Sequence, residues 1–229
     1  MKQLLLRSAS SPAPALLIFC NGWAMTHAAI EHLALPPGYD LLLVEDYRSQ
    51  DFSFDFSPYT HVDLLAWSMG VWAATLLHLQ GQLPPLSKAI AIAGTPYPRH
   101  DDWGIPCAIF DATRDNLSEE NRERFNRRMC GGKRLRHLFD SLKTRSTEEL
   151  ITELSYVGSQ PLFASEQGRT PWTHAIIPTK DRIIPAANQL AWWQTTDVAI
   201  TTLPEADHYP FGAYSHWEQL LSPDTLPHE

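Results

Sequence analysis

Five short, predominantly apolar runs, each stopped by polar or turn residues, constrain this chain more than any other feature. Leu4–Leu6 precedes a Ser/Pro/Ala turn, and Ala15–Cys20 halts at Asn21-Gly22. Leu41–Val44 runs into Glu45-Asp46, Val62–Ala66 into Trp67-Ser68, and Ala89–Ala93 into Gly94-Thr95-Pro96. A strand with one wet face alternates apolar and polar residues, whereas a strand covered on both faces does not, so these runs predict a parallel sheet. Between two of them, Met69–Gln80 is rich in Ala and Leu, has one Gly near its start and no Pro, and reads as a helix. Repeated strand–helix alternation predicts an α/β, doubly wound architecture.

The pattern changes near residue 100. From Asp111 to Glu153 the sequence turns Arg/Glu-rich, with a helix start at Ser118-Glu119-Glu120-Asn121. Phe125, Met129, Leu135, Leu138, Phe139 and Leu142 recur at helical spacing, with Gly131-Gly132 between two helices. Ile105–Asp111 is undecided between strand and helix. Apolar runs return at Ala175–Ile177 and Val198–Leu203, with a helix predicted over Ala186–Trp193 and a final one over Tyr214–Leu221. The expectation is one domain over 1–229 with a mostly parallel sheet, interrupted over 105–170 by a helical lid.

The net charge of −8 opposes a nucleic-acid partner. The charge is also segregated: ten of the 18 Lys and Arg residues fall in residues 111 to 150. Cys20, Cys107 and Cys130 are odd in number and widely spaced, so each is expected to be a small buried residue rather than part of a disulfide framework. No 18-residue apolar run and no leader-like segment are found, so the expectation is a cytoplasmic protein without membrane attachment. Neither His-Glu-x-x-His nor Gly-x-Gly-x-x-Gly occurs, and no metal or cofactor is expected.

Ser68 sits between an apolar strand and a helix, in Ala66-Trp67-Ser68-Met69-Gly70, as a nucleophile elbow requires. Ala66 replaces the usual first Gly, and a plain helix N-cap is the competing role. An alcohol nucleophile needs a base, a group that orients the base, and donors for the developing oxyanion. His208 follows the last strand and is the expected base, with His216 behind it. Asp181 follows the preceding strand, 27 residues before His208, and is the expected orienting acid; Asp207, Asp111 and Asp115 are placed less well. The order Ser, Asp, His suits the fold class. The Met69 and Trp23 backbone N–H groups are the expected oxyanion donors.

Phe19-Cys20-Asn21-Gly22-Trp23 and Ala66-Trp67-Ser68-Met69-Gly70-Val71-Trp72 resemble the BioG-type pimeloyl-[acyl-carrier protein] methyl ester esterases of biotin synthesis, which have an α/β-hydrolase core. Asp102–Pro106, Asn126–Gly131, Pro185–Gln189 and Ser215–Trp217 extend the resemblance over nearly the whole chain. More remotely the chain is similar to BioH-type esterases, from whose His-Gly-Trp-Gly it departs at Asn21 and Ala24. The resemblance implies a serine esterase that cleaves the distal methyl ester of pimeloyl-acyl carrier protein. It also implies an acidic carrier as partner for the basic helices: Arg122, Arg124, Arg127, Arg128, Lys133, Arg134 and Arg136 are candidates to contact it. Trp23, Trp72, Phe125 and Met129 are candidates to line an acyl channel, plain core packing being the alternative for the last three. A broad carboxylesterase or thioesterase, and a non-catalytic module that binds an acyl carrier, are the competing functions.

Overall fold

The computed structural model describes residues 1–8, 13–129, 145–160 and 170–223. The apolar runs become β1 (Lys2–Leu6), β2 (Ala15–Cys20), β3 (Tyr39–Glu45), β4 (His61–Trp67), β5 (Lys88–Ile92), β6 (His174–Pro178) and β7 (Ala199–Leu203). They form one seven-stranded sheet in the order β1-β3-β2-β4-β5-β6-β7. Only β1 runs antiparallel, against β3; every other pairing is parallel. All six residues of β2 are buried, as are the last six of β3 and of β4, which explains why apolar residues dominate these strands without alternating. The chain thus forms the α/β-hydrolase core with a mostly parallel sheet expected from its sequence.

Six α-helices are described: α1 (Met69–Leu79), α2 (Cys107–Asp115), α3 (Glu119–Met129), α4 (Thr147–Ser159), α5 (Ala186–Trp193) and α6 (Trp217–Leu221). The undecided stretch at 105–111 therefore opens as a loop and continues as α2. Leu135, Leu138, Phe139, Leu142 and the Gly131-Gly132 break lie outside the described residues. Helix α4 begins with a reciprocal cap, in which Ser146 accepts from the Glu149 N–H while the Glu149 side chain accepts from the Ser146 N–H. The final helix starts later than the periodicity predicts. Tyr214 is extended, and the Ser215–His216 backbone pairs with Ala34: the Ala34 N–H donates to Ser215 O at 2.8 Å, and the Trp217 N–H to Ala34 O at 3.1 Å. Those bonds hold the segment extended until Trp217. Cys20 is buried as expected, whereas Cys107, first residue of α2, is partly exposed. Among the described residues, no helix is long and apolar enough to cross a membrane.

Parallel strands deliver their following loops to one edge. The loops after β2, β4, β6 and β7 carry Asn21–Trp23, Ser68, Asp181 and His208 to the carboxyl end of the sheet, where ligands bind in open α/β sheets. Close backbone approach there depends on Gly70. A Cβ on Gly70 would overlap the Cys20 carbonyl oxygen and crowd that of Asn21. Gly70→Ala must therefore push α1 away from the end of β2. We expect it to cost about 2 kcal/mol, the cost of an overpacked core. That corresponds to a drop of roughly 5 °C in the melting temperature, read by circular dichroism.

Candidate active site

Ser68 occupies the single residue between β4 and α1, with φ 57° and ψ −123°. A non-glycine residue in this region is strained, and such strain concentrates where a side chain must be presented. The Ser68 N–H donates to Ile92 O at 2.9 Å, and the Ser68 side chain caps no helix N–H. The hydroxyl is left to His208: Oγ lies 2.8 Å from His208 Nε2. On the far side of the ring, His208 Nδ1 lies 2.7 Å from Asp181 Oδ2. An ionised carboxylate only accepts, so Nδ1 carries the proton and Nε2 is free to accept from the serine hydroxyl. The three side chains, from three separate loops, are all buried. This arrangement can take the proton from the Ser68 hydroxyl as its oxygen attacks and stabilise the imidazolium that results.

Further donors hold the relay in place. Asp181 Oδ1 accepts from the Ile183 and Ile184 N–H groups at 2.8 and 3.0 Å. Oδ2 accepts also from Gln189 Nε2, at 2.8 Å. The same nitrogen donates to Ile184 O at 2.8 Å, and Gln189 Oε1 is buried without a partner. An orphaned buried acceptor costs about 1–3 kcal/mol. On the histidine, the Trp67 indole N–H donates to His208 O at 2.8 Å. Trp67 and Gln189 do not emerge from a search for nucleophile, base and acid, because neither residue type carries that chemistry.

Trp23 and Met69 line the same cavity as Ser68 and His208. Among the described residues, neither of their backbone N–H groups has a hydrogen-bond acceptor. For Met69 this follows from its place in the first turn of α1. The Trp23 side chain leaves toward the helices: its indole N–H donates to Leu150 O in α4 at 3.2 Å, and its ring meets Phe125 of α3 edge-on at 5.0 Å. Phe125, Met129 and Ile183 add apolar lining to the cavity.

Trp72 requires a correction. It is buried on the side of α1 that faces Tyr47 and lines a different hollow, beside Pro96 and Val157, so it is not a wall of the Ser68 cavity. Helical spacing predicted its burial without fixing the direction. Arg122 is corrected as well. It is 6% exposed, with Nη1 3.5 Å from Glu119 and with Nε and Nη2 unpartnered, so a docking carrier cannot reach it. Arg124 and Arg127 are exposed and, among the described residues, pair with their own helix, 3.1 Å from Glu120 and 4.0 Å from Glu123. Arg128 is exposed, lines the cavity, and has no acidic partner among the described residues. Arg182, which the sequence reading passed over although it follows Asp181 directly, shares those three properties. Lys133, Arg134 and Arg136 lie outside the described residues.

A buried polar cluster fastens α4 to the loop after β3. Glu153 accepts from the Tyr47 N–H at 2.7 Å and from Arg145 Nη1 at 2.7 Å, while Arg145 Nη2 lies 3.2 Å from Asp46. Burial pushes the Glu153 carboxyl above the usual carboxylate range, and the Arg145 charge opposes that rise.

Residues 7–220 match the family described as pimeloyl-ACP methyl esterase BioG. The crystal structure of BioG from Haemophilus influenzae superposes with a TM-score of 0.81 at 34% identity, covering 96% of this chain and 99% of that one. A malonyl-[acyl-carrier protein] O-methyltransferase from Bacteroides fragilis is 42% identical over 181 residues, or 78% of this chain and 36% of that protein. The match thus reaches only about a third of the longer relative. A pimeloyl-[acyl-carrier protein] methyl ester esterase from Xylella fastidiosa is 27% identical over 175 residues, 69% of this chain and 67% of its own length.

Proposed function

Since this chain belongs to the BioG family of pimeloyl-ACP methyl esterases, we propose that it hydrolyses the methyl ester of pimeloyl-acyl carrier protein, giving pimeloyl-acyl carrier protein and methanol, by serine catalysis at Ser68. The observation that carries this reading is the buried relay from Ser68 through His208 to Asp181, opening into a cavity walled by Trp23, Phe125, Met129 and Ile183. In this mechanism Ser68 Oγ attacks the ester carbonyl as its proton passes to His208 Nε2. The Trp23 and Met69 N–H groups receive the developing oxyanion. Collapse breaks the bond to the methoxy oxygen, which leaves as methanol with the proton from His208. Water, deprotonated by the same imidazole, then attacks the acyl-serine; the bond to Ser68 Oγ breaks, Oγ regains a proton from His208, and the new carboxylic acid leaves and ionises. Asp181 stays ionised and holds the ring.

The helices between β5 and β6 act in this reading as a lid over 105–170, with an apolar underside toward Ser68 and a basic outer face for the acidic carrier. Docking at that face leaves the distal ester, rather than the nearer thioester, within reach of Ser68. Arg124 and Arg127 lie outside the cavity that holds Ser68, which makes them the cleaner probes of docking. Arg124→Glu with Arg127→Glu is expected to raise KM for methyl pimeloyl-carrier protein by about ten-fold or more, as charge reversal at an interface rim does. Turnover of a short p-nitrophenyl ester should stay within about two-fold. Equal losses on both substrates would remove the docking role. The substrate itself is tested by comparing kcat/KM for methyl pimeloyl-carrier protein with that for the p-nitrophenyl ester. No preference for the carrier-bound ester would make this a general esterase.

A further inference from the structure

Among the described residues the Asp181 carboxylate receives four hydrogen bonds, and one of them comes from a side chain with no other evident purpose. Ile183 and Ile184 fix Oδ1 through the backbone. Among the described residues Oδ2, the oxygen that faces His208, is bonded to the imidazole and to Gln189 Nε2. Gln189 lies on the first turn of α5, is fully buried, and divides its amide nitrogen between Asp181 Oδ2 and Ile184 O, each at 2.8 Å. Both neighbours are acceptors, so the amide can adopt only one of its two orientations, and that orientation leaves Oε1 without a partner. A methionine or leucine would fill the same space without an orphaned oxygen. Buried orphans in folded proteins call for an explanation, and here the orphaned oxygen shares its amide carbon with the nitrogen that grips Asp181.

We propose that Gln189 is a positioning residue: it locks the rotation of the Asp181 carboxylate so that Oδ2 stays aimed at His208 Nδ1. The role rests on the reading of Ser68, His208 and Asp181 given above. Gln189 touches no reacting atom. It acts by narrowing the swing of a carboxylate whose other oxygen is already pinned, and therefore of the imidazole held against it. A small angular error in that ring is passed on to the Ser68 hydroxyl, where orientation sets the rate.

The test uses the full chain with Gln189→Met, and Gln189→Leu as a second variant should the first fail to give folded protein. Active sites are first counted by titration with a fluorophosphonate, and rates are expressed per labelled site. A residue that merely supports the fold would lower the fraction of active sites and leave the rate of each unchanged. The positioning role predicts the reverse: kcat per site and the second-order labelling rate both fall about ten-fold or more, and KM stays within about two-fold. It further predicts that the far-downfield proton resonance of the His208 Nδ1–H shifts or broadens. Per-site rates within two-fold of wild type, or an unchanged resonance, overturn the role of Gln189. Wild-type protein that is not labelled at Ser68 overturns the catalytic reading itself, and Gln189 with it.

Discussion

Ser68→Ala is expected to abolish covalent labelling by a fluorophosphonate and to lower kcat on methyl pimeloyl-carrier protein by about ten-thousand-fold or more, as nucleophile removal does in serine hydrolases. The substitution removes one oxygen, the one that lies 2.8 Å from His208 Nε2. It leaves the backbone strain at φ 57° much as it was, since alanine and serine bear it alike. The Ser68 side chain caps no helix N–H, so no capping energy is lost, and the melting temperature should move little. Intact mass after labelling, together with turnover of both substrates, checks this. Residual turnover near that of wild type would dismiss Ser68 as nucleophile. A folded wild-type protein that takes no label would instead favour a module that binds the carrier without cleaving its cargo.

Asp181→Asn is expected to lower kcat by about a thousand- to ten-thousand-fold, with much less change in KM, because it reverses one hydrogen-bonding role inside a closed set of four. All four neighbours of the Asp181 carboxylate are donors: two backbone N–H groups, Gln189 Nε2 and His208 Nδ1–H. An asparagine can satisfy the Ile183 and Ile184 N–H groups with its carbonyl. Its amide nitrogen then faces two donors. The imidazole is driven to the tautomer that accepts at Nδ1 and carries the proton at Nε2, where it can no longer take one from Ser68. Steady-state kinetics on both esters measures this loss. Combining Asp181→Asn with Ser68→Ala should give no further loss beyond Ser68→Ala, because residues that act as a unit are not additive. A double variant that falls well below Ser68→Ala alone would separate Asp181 from the serine pathway.

Much of the fold was legible because sheet burial writes directly into residue type. The six apolar letters of Ala15–Cys20 coincide with a fully buried strand, and the helix predicted at Ala186–Trp193 has those bounds in the structure. Chain order and loop position singled out Ser68, Asp181 and His208, and in the structure His208 lies within hydrogen-bonding distance of both Ser68 and Asp181. What stayed illegible depends on direction rather than type. Trp72 and Phe125 both carry helical spacing, yet one packs against Tyr47 and the other lines the Ser68 cavity, because spacing does not say which neighbour a helix face meets. Arg122 belongs to a basic run but turns inward on α3, a choice fixed by what α3 packs against. The late start of α6 is set by backbone bonds joining Ser215 and Trp217 to Ala34, 181 and 183 residues away in the chain, which no local signal carries.

The parts of the site are scattered so widely that their meeting is a folding event in its own right. His208 and Ser68 stand 140 residues apart in sequence, and Asp181 and His208 come from the loops after β6 and β7, the outer two strands on one side of the sheet. Bringing such distant segments together costs loop-closure entropy before any contact rewards it, and parallel pairings of this kind form slowly. A chain released from the ribosome only as far as β5 has Ser68 and the Asn21–Trp23 loop but neither Asp181 nor His208. Secondary structure and tryptophan burial can return early during refolding while hydrolysis waits for the last two strands to dock. Regained activity is thus a clock for the closing step of the sheet, set to a later hour than any optical signal from its first five strands.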